Sequence, residues 1–278
     1  MSISSRTIVP GFEVVQNGGT RVLARPEAVS WVRYVLDAGK TLHAYASEDR
    51  KGSRLEGRSP VFVIPAKTPS AKTPSGEGPL HGQAGFAGRW AVRHFVRGGR
   101  VFSTLFGDRY LRVGAVRPFH EVEASEEARR RGIATPRVVA AASYPTGPFY
   151  RADLVTEFIP EASDLVQALF DTSRKGAGGA LERLDTLRTA GELVRQLAAV
   201  GLRHRDLHAG NILRQWQGAA PRAHLLDLDR CDIGLEGRPT APASMHKRLK
   251  RSLRKWERLT GLRVSEREWE TLDRAVAG

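Results

Sequence analysis

Two short stretches constrain this chain most: Leu-Arg-His-Arg-Asp-Leu-His-Ala-Gly-Asn-Ile-Leu at residues 202–213, and Leu-Leu-Asp-Leu-Asp at residues 225–229. Asp206 is followed five residues later by Asn211, an apolar run starts at Ile212, and Asp227 ends the next apolar run. An aspartate in such a loop is placed to accept or orient the proton of an attacking hydroxyl. Asn211 and Asp227, at the ends of two adjacent loops, offer oxygen atoms to a hard divalent cation that keeps phosphate and water as its other ligands. Turn capping explains one Asp or Asn in a loop. It does not explain three at this spacing.

The layout is that of a phosphoryl-transfer site of the protein-kinase type. It predicts an α+β, bilobal fold: a β-rich N-lobe, a mainly helical C-lobe, and ATP with Mg2+ in the cleft between them. Protein kinases place a strand lysine on the α/β-phosphates and pair it with a helix glutamate. Here no lysine occurs between Lys72 and Lys175; Arg93 takes the strand position and Glu121 lies on the following helix. Arginine can make the same charge contact in a bidentate way, though both residues also suit an ordinary solvated surface. Gly76 and Gly78 precede the first strong strands, where bare backbone N–H groups can approach phosphates or simply turn the chain. His208, two residues after Asp206, either contacts the transferring phosphate or packs in the loop. Asp229 stands where a protein kinase has glycine, and serves metal, substrate or the next turn.

Along the chain, residues 1–75 form an N-terminal segment that looks irregular at first, with a short helix or strand over residues 27–36. Residues 48–79 break in composition and hold a tandem Ala-Lys-Thr-Pro-Ser pentapeptide, the mark of a flexible linker. The N-lobe is expected over 76–160. Its strands lie at 89–96, 137–142 and 149–158, and its helix runs from Val116 to Gly132 with Phe119, Val122 and Ala128 inward. The C-lobe is expected over 161–278: a helix capped by Ser163 or Asp164, a long helix from Leu181 closed by Gly201, the loop, a basic helix from Met245, and a last helix from near Ser265. Only about fifty residues follow Asp227, and no Ala-Pro-Glu segment occurs. That argues against a polypeptide acceptor and for a small or lipid-linked one.

The chain carries a net charge of +14 and one cysteine, Cys231. The charge favours an anionic partner, although arginine-rich usage also follows from a GC-rich genome. The single cysteine rules out an intrachain disulfide and suits a reducing cytoplasm. No run is long enough and apolar enough to span a membrane, and the first residues lack a signal-peptide core. The helix from Met245 to Arg258 is basic on one side, with Met245, Leu249, Leu253 and Trp256 on the other. Such a helix can pack on the C-lobe, lie on an anionic membrane, or do both. Its basic residues are not interleaved with stacking aromatics, so nucleic acid is not expected.

Assembled, these residues resemble the lipopolysaccharide core kinases, most of all those of 3-deoxy-D-manno-octulosonic acid (Kdo). The pieces that carry the resemblance are Arg93-His94-Phe95-Val96-Arg97-Gly98-Gly99, Asp108-Arg109-Tyr110, Arg117-Pro118-Phe119-His120-Glu121, Pro148 to Leu154, Thr156-Glu157, Asp206 to Leu213, Leu225 to Cys231, and Arg248 to Ser252. The family also has arginine at the strand position. The resemblance implies ATP-dependent phosphorylation of a Kdo hydroxyl in a lipid A precursor, by a peripheral protein at the cytoplasmic face of a bacterial inner membrane. Residues 1–75 match poorly, and Leu228 stands where the family often has an aromatic. Arg97, Arg100, Arg109 and Arg112 form a cationic set suited to a carboxylate or phosphates, or are ordinary surface arginines. The rivals are another acceptor, such as a heptose or an aminoglycoside-like sugar, and a non-catalytic module that binds anionic lipid. The sequence leaves the oligomeric state open.

Overall fold

The structure, a computed structural model, describes residues 9–55, 60–66, 88–96, 108–112, 116–171, 179–217 and 220–278. The chain divides into two compact units, residues 1–122 with 137–158, and residues 123–136 with 159–278.

The first unit is built on β-branched and aromatic runs that pair antiparallel. Its strands are β1 (Glu13–Asn17), β2 (Thr20–Ala24), β3 (Ser53–Leu55), β4 (Val61–Pro65), β5 (Arg89–His94), β6 (Tyr110–Leu111), β7 (Val138–Thr146) and β8 (Phe149–Glu157). They form one sheet in the order β1-β2-β7-β8-β5-β4-β3, with β6 also on β8. Successive strand residues point to opposite faces, and both faces are covered. Val22, Ala24, Val92, Val139 and Val155 enter a core with helix α1 (Pro26–Asp37) and helix α2 (Leu42–Ser47). Leu23, Phe95, Ala141, Ala152 and Leu154 enter the other, with Phe119 and Val122. Those two residues lie in α3 (Arg117–Arg130), which begins in this unit and ends in the second.

The strands predicted at 89–96, 137–142 and 149–158 are present to within a few residues, as is the helix at α3. Residues 27–36 resolve as helix α1, with Pro26 pre-set for its first turn. The sequence boundary at 75/76 does not divide the sheet. Strands β1 to β4 precede it, and Val61-Phe62-Val63-Ile64, inside the composition break, pairs with β5. Those apolar side chains gain burial only by joining the same core, which a Pro/Ser-weighted reading of residues 48–79 overlooks. Of the tandem repeat only Ala66 is described.

The second unit is mainly helical: α4 (Leu165–Phe170), α5 (Ala180–Ala199), α6 (Ala243–Thr260) and α7 (Glu266–Ala277), with short strands β9 (Ala162–Asp164), β10 (Leu202–His204), β11 (Ile212–Gln217), β12 (Ala220–Leu225) and β13 (Cys231–Ile233). Asp164 and Ser265 cap α4 and α7 with reciprocal capping boxes. The core gathers Leu187, Leu193 and Leu197 of α5, Met245, Leu249 and Leu253 of α6, and Leu272 and Val276 of α7. Gly191 lets α5 and α7 meet backbone to backbone: a Cβ there would stand 2.8 Å from the Leu272 carbonyl oxygen. Gly201 ends α5 with φ +76, a conformation that favours glycine. The chain is thus α+β, with a β-rich and a mainly helical unit.

Candidate active site

The two motif loops are each held at both ends by paired strands. β10 pairs with β13, setting His204 opposite Cys231, and β11 pairs with β12, setting Ile212 opposite Leu225. Residues 205–211 leave β10 and enter β11, while residues 226–230 leave β12 and enter β13. Leu207, Ala209, Leu225 and Leu228 anchor both loops in the core. The Leu226 N–H donates to the Asn211 carbonyl at 2.9 Å and ties one loop to the other.

His204, 1% exposed, makes the second tie. Its Nδ1 accepts from the Asp206 N–H at 3.2 Å, so its Nε2 carries the proton and donates to the Asp227 carbonyl at 2.9 Å. The Leu226 carbonyl lies 3.3 Å from the same nitrogen. Burial pushes this imidazole below its ordinary pKa and outweighs the opposite pull of Asp227, the two carbonyls and Asp206. A neutral imidazole suits both bonds. Asp227 itself has φ 60 and ψ 57, a left-handed conformation uncommon outside glycine. Such backbone outliers persist where the surroundings over-determine them, which functional sites do.

Among the sequence-predicted residues, Asp206, Asn211 and Asp227 are brought together in the second unit. The Asn211 amide nitrogen donates to the Asp206 carbonyl at 3.1 Å, so the amide oxygen is the atom this side chain could offer a cation. Among the described residues, no group of three or more His, Cys, Asp or Glu could hold a metal ion. An amide oxygen with one carboxylate fits instead the Mg2+ habit of keeping waters and phosphate oxygens as its remaining ligands. His208 heads the short helical turn at Ala209–Asn211 and is half-buried. Arg230 stands 3.8 Å from the Asp206 carboxylate, and both are about half exposed. Cys231 is buried beside this loop, and burial pushes its thiol up to about 12.

Arg93 and Glu121 are brought together in the first unit as an ion pair, with the Glu121 side chain 3% exposed and Arg93 27%. The Arg93 guanidinium also lies over the Phe95 ring, 4.5 Å from its centroid. Gly76, Gly78, Arg97 and Arg100 lie outside the described residues, and Arg109 and Arg112 are exposed.

Two positioning residues were missed from the sequence. His204 was read only as part of a motif. The other is His94, whose Nδ1 bonds Asp153 at 2.6 Å and whose Nε2 bonds Asp108 at 2.8 Å. Burial opposes its charge, but the two carboxylates outweigh that and raise its pKa. Asp153, fully buried, also accepts from the His43 N–H and the Tyr144 hydroxyl, each at 2.9 Å. One imidazole therefore joins three of the sequence pieces that carry the resemblance, those that begin at Arg93, Asp108 and Pro148. The available signal was an aspartate inside the apolar strand run Ala152-Asp153-Leu154-Val155, since a lone buried carboxylate needs a partner.

Residues 72–275 match the lipopolysaccharide kinase (Kdo/WaaP) family. The chain belongs to that family. It is a phosphotransferase that acts on a hydroxyl, a lipopolysaccharide kinase, and its family implies ATP as phosphoryl donor and a saccharide as acceptor. It is 32% identical to a 3-deoxy-D-manno-octulosonic acid kinase of Actinobacillus succinogenes over 66% of this chain and 72% of that one. It is 31% identical to one of Vibrio cholerae over 59% of this chain and 65% of that one. A solved structure of WaaP in complex with acyl carrier protein aligns with 14% identity and a TM-score of 0.48, covering 95% of this chain and 88% of that one. Among the described residues, no helix of this kinase is long and apolar enough to cross a membrane.

Proposed function

We propose that this kinase transfers the γ-phosphoryl group of ATP to a hydroxyl of Kdo in a lipid A precursor, working as a peripheral protein at the cytoplasmic face of the bacterial inner membrane. Asp206 accepts or orients the proton of the attacking hydroxyl. Asn211 and Asp227 hold Mg2+ through their side-chain oxygens. When bound, that ion neutralises charge on the phosphates. Arg93, positioned by Glu121, adds positive charge on the nucleotide phosphates, and Gly76, Gly78 and His208 are assigned to the same phosphates. The observation that most supports phosphoryl transfer is the double tie between the loops, which fixes Asp206 relative to Asp227 through His204. Catalysis of this kind rests on positioning and electrostatics. The Kdo acceptor is supported by the names of relatives about a third identical to this chain.

The test is ADP release with ATP, Mg2+ and a Kdo-containing lipid A precursor, for wild type and Asp206→Asn. Lipid-dependent turnover is expected, falling by about 10²-fold or more in the variant. ATP turnover that ignores this lipid but responds to a heptose or an aminoglycoside-like sugar would reassign the acceptor. ATP binding without turnover on any acceptor would make the chain a non-catalytic module.

A further inference from the structure

We propose that the exposed face of α6 docks on an anionic lipid bilayer and holds the catalytic loop at a fixed distance from it. The idea rests on the reading of a lipid-linked acceptor and adds which surface of the protein meets the lipid. Lys247, Arg251, Arg254, Lys255 and Arg258 are all exposed on α6. Their spacing, near multiples of four and seven, puts them on one face. Met245, Leu249 and Leu253 occupy the other side and are fully buried. The one acidic residue of the helix, Glu257, is buried and accepts from the Val264 N–H at 2.9 Å. No carboxylate of α6 therefore offsets the basic row. Lys250 is not part of it, because it pairs with Asp273 of α7 at 2.8 Å.

Two features point to a membrane rather than to another polyanion. The row ends beside exposed leucines, Leu259 at 63% and Leu262 at 37%, which can enter the headgroup region while the basic groups meet lipid phosphates. The aromatics near this face are already packed: Trp256 of α6 and Trp269 of α7, which lies under Arg254, both sit against the core, an arrangement unlike an open stacking platform for bases.

The buried side of the same helix touches the end of β10 and the catalytic loop that follows it. The Met245 sulfur accepts from the His204 N–H at 3.3 Å, and the Ser252 hydroxyl accepts from the Ala209 N–H at 3.1 Å. A helix with its side chains is about 10–12 Å across. Headgroups on one side of α6 and the loop on the other are therefore about that far apart. Acceptor hydroxyls that project from the bilayer by a similar distance are the ones this loop reaches.

The test is sedimentation of the full chain with phosphatidylglycerol/phosphatidylcholine vesicles against phosphatidylcholine alone, for wild type and for Lys247→Gln/Arg251→Gln/Lys255→Gln/Arg258→Gln. Each basic residue near an anionic surface is worth about a fivefold change in partition, so the quadruple variant is expected to bind roughly 10²- to 10³-fold more weakly. Wild-type binding is expected to fall as salt rises. A Lys247→Arg/Lys255→Arg variant, with charge kept, is expected to bind as wild type does. Turnover of acceptor embedded in the vesicles should fall in the quadruple variant, and turnover of acceptor in neutral detergent micelles should not. Equal vesicle binding by wild type and quadruple variant overturns the proposal. So does wild-type binding to duplex DNA with none to the anionic vesicles. If no Kdo acceptor is turned over by wild type in either form, the acceptor reading fails, and the vesicle-binding comparison still decides the docking face.

Discussion

Replacing His204 with phenylalanine tests whether the loop-to-loop tie is functional. The ring volume is nearly kept, so the cavity contribution is small. What disappears is the acceptor for the Asp206 N–H, at 3.2 Å, and the donor to the Asp227 carbonyl, at 2.9 Å. A buried polar group left unsatisfied costs about 1–3 kcal/mol. Both residues are partly exposed, so water recovers part of that, and a loss of about 2–3 kcal/mol in all is expected. The left-handed backbone of Asp227, about 1–2 kcal/mol above a relaxed conformation, would lose one of its restraints. A shift of about 1 Å in a reacting group can slow catalysis by roughly 10²-fold. His204→Phe should therefore lower kcat by about that factor, with a smaller effect on the KM for ATP, and lower the urea midpoint by about 1 M. Steady-state kinetics and equilibrium unfolding read the two effects separately. A variant that loses the expected stability yet keeps wild-type kcat would refute the positioning role and leave His204 as packing alone.

Other expectations follow from the same bonds. Arg93→Met should raise the KM for ATP and lower kcat, and Arg93→Lys should restore only part, since one guanidinium nitrogen meets both Glu121 oxygens and a lysine has no second nitrogen to offer a phosphate; equal restoration by lysine would remove that argument. His94, with a raised folded pKa, contributes stability that is full below about pH 6.5 and lost as pH rises through the folded value, so His94→Asn should flatten that limb of a pH–stability profile. His204 has the opposite sign: its contribution is present above about pH 6.5 and declines as pH falls toward its lowered folded value. Thermal unfolding across pH separates the two. Gly191→Ala should destabilise by about 1–3 kcal/mol, because the added Cβ meets the backbone of α7 at 2.8 Å, and an unchanged melting temperature would contradict that contact.

The sequence made the helical unit legible because its signals are local. The caps at Asp164 and Ser265, the closing Gly201 and the apolar stripe of α6 all lie within a few residues of the elements they define. The same is true of Asp206, Asn211 and Asp227, whose spacing is short. The sheet was harder to read. Pairing of β4 with β5, or of β2 with β7, joins residues far apart in the chain, and no local pattern in residues 13–65 announces a partner. The Arg93–Glu121 pair was found because kinase chemistry asks for one. The His94–Asp153 pair was not, since only the strand register places them opposite each other. His204 escaped for a related reason: its role lies in which two backbones it bonds, and composition says nothing about that.

Cys231 gives the folded chain an unusual chemical silence. It is the one cysteine, it is buried, and its thiol is held near 12, so little thiolate exists to react at neutral pH. An exposed cysteine introduced elsewhere would be the one reactive thiol open to a spin label or fluorophore, with no native cysteine to remove first. Left alone, Cys231 becomes a clock. It sits opposite His204 in the β10–β13 ladder, so a thiol reagent reaches it only when that ladder opens. The rate of its modification then times the opening of the strand from which the catalytic loop begins.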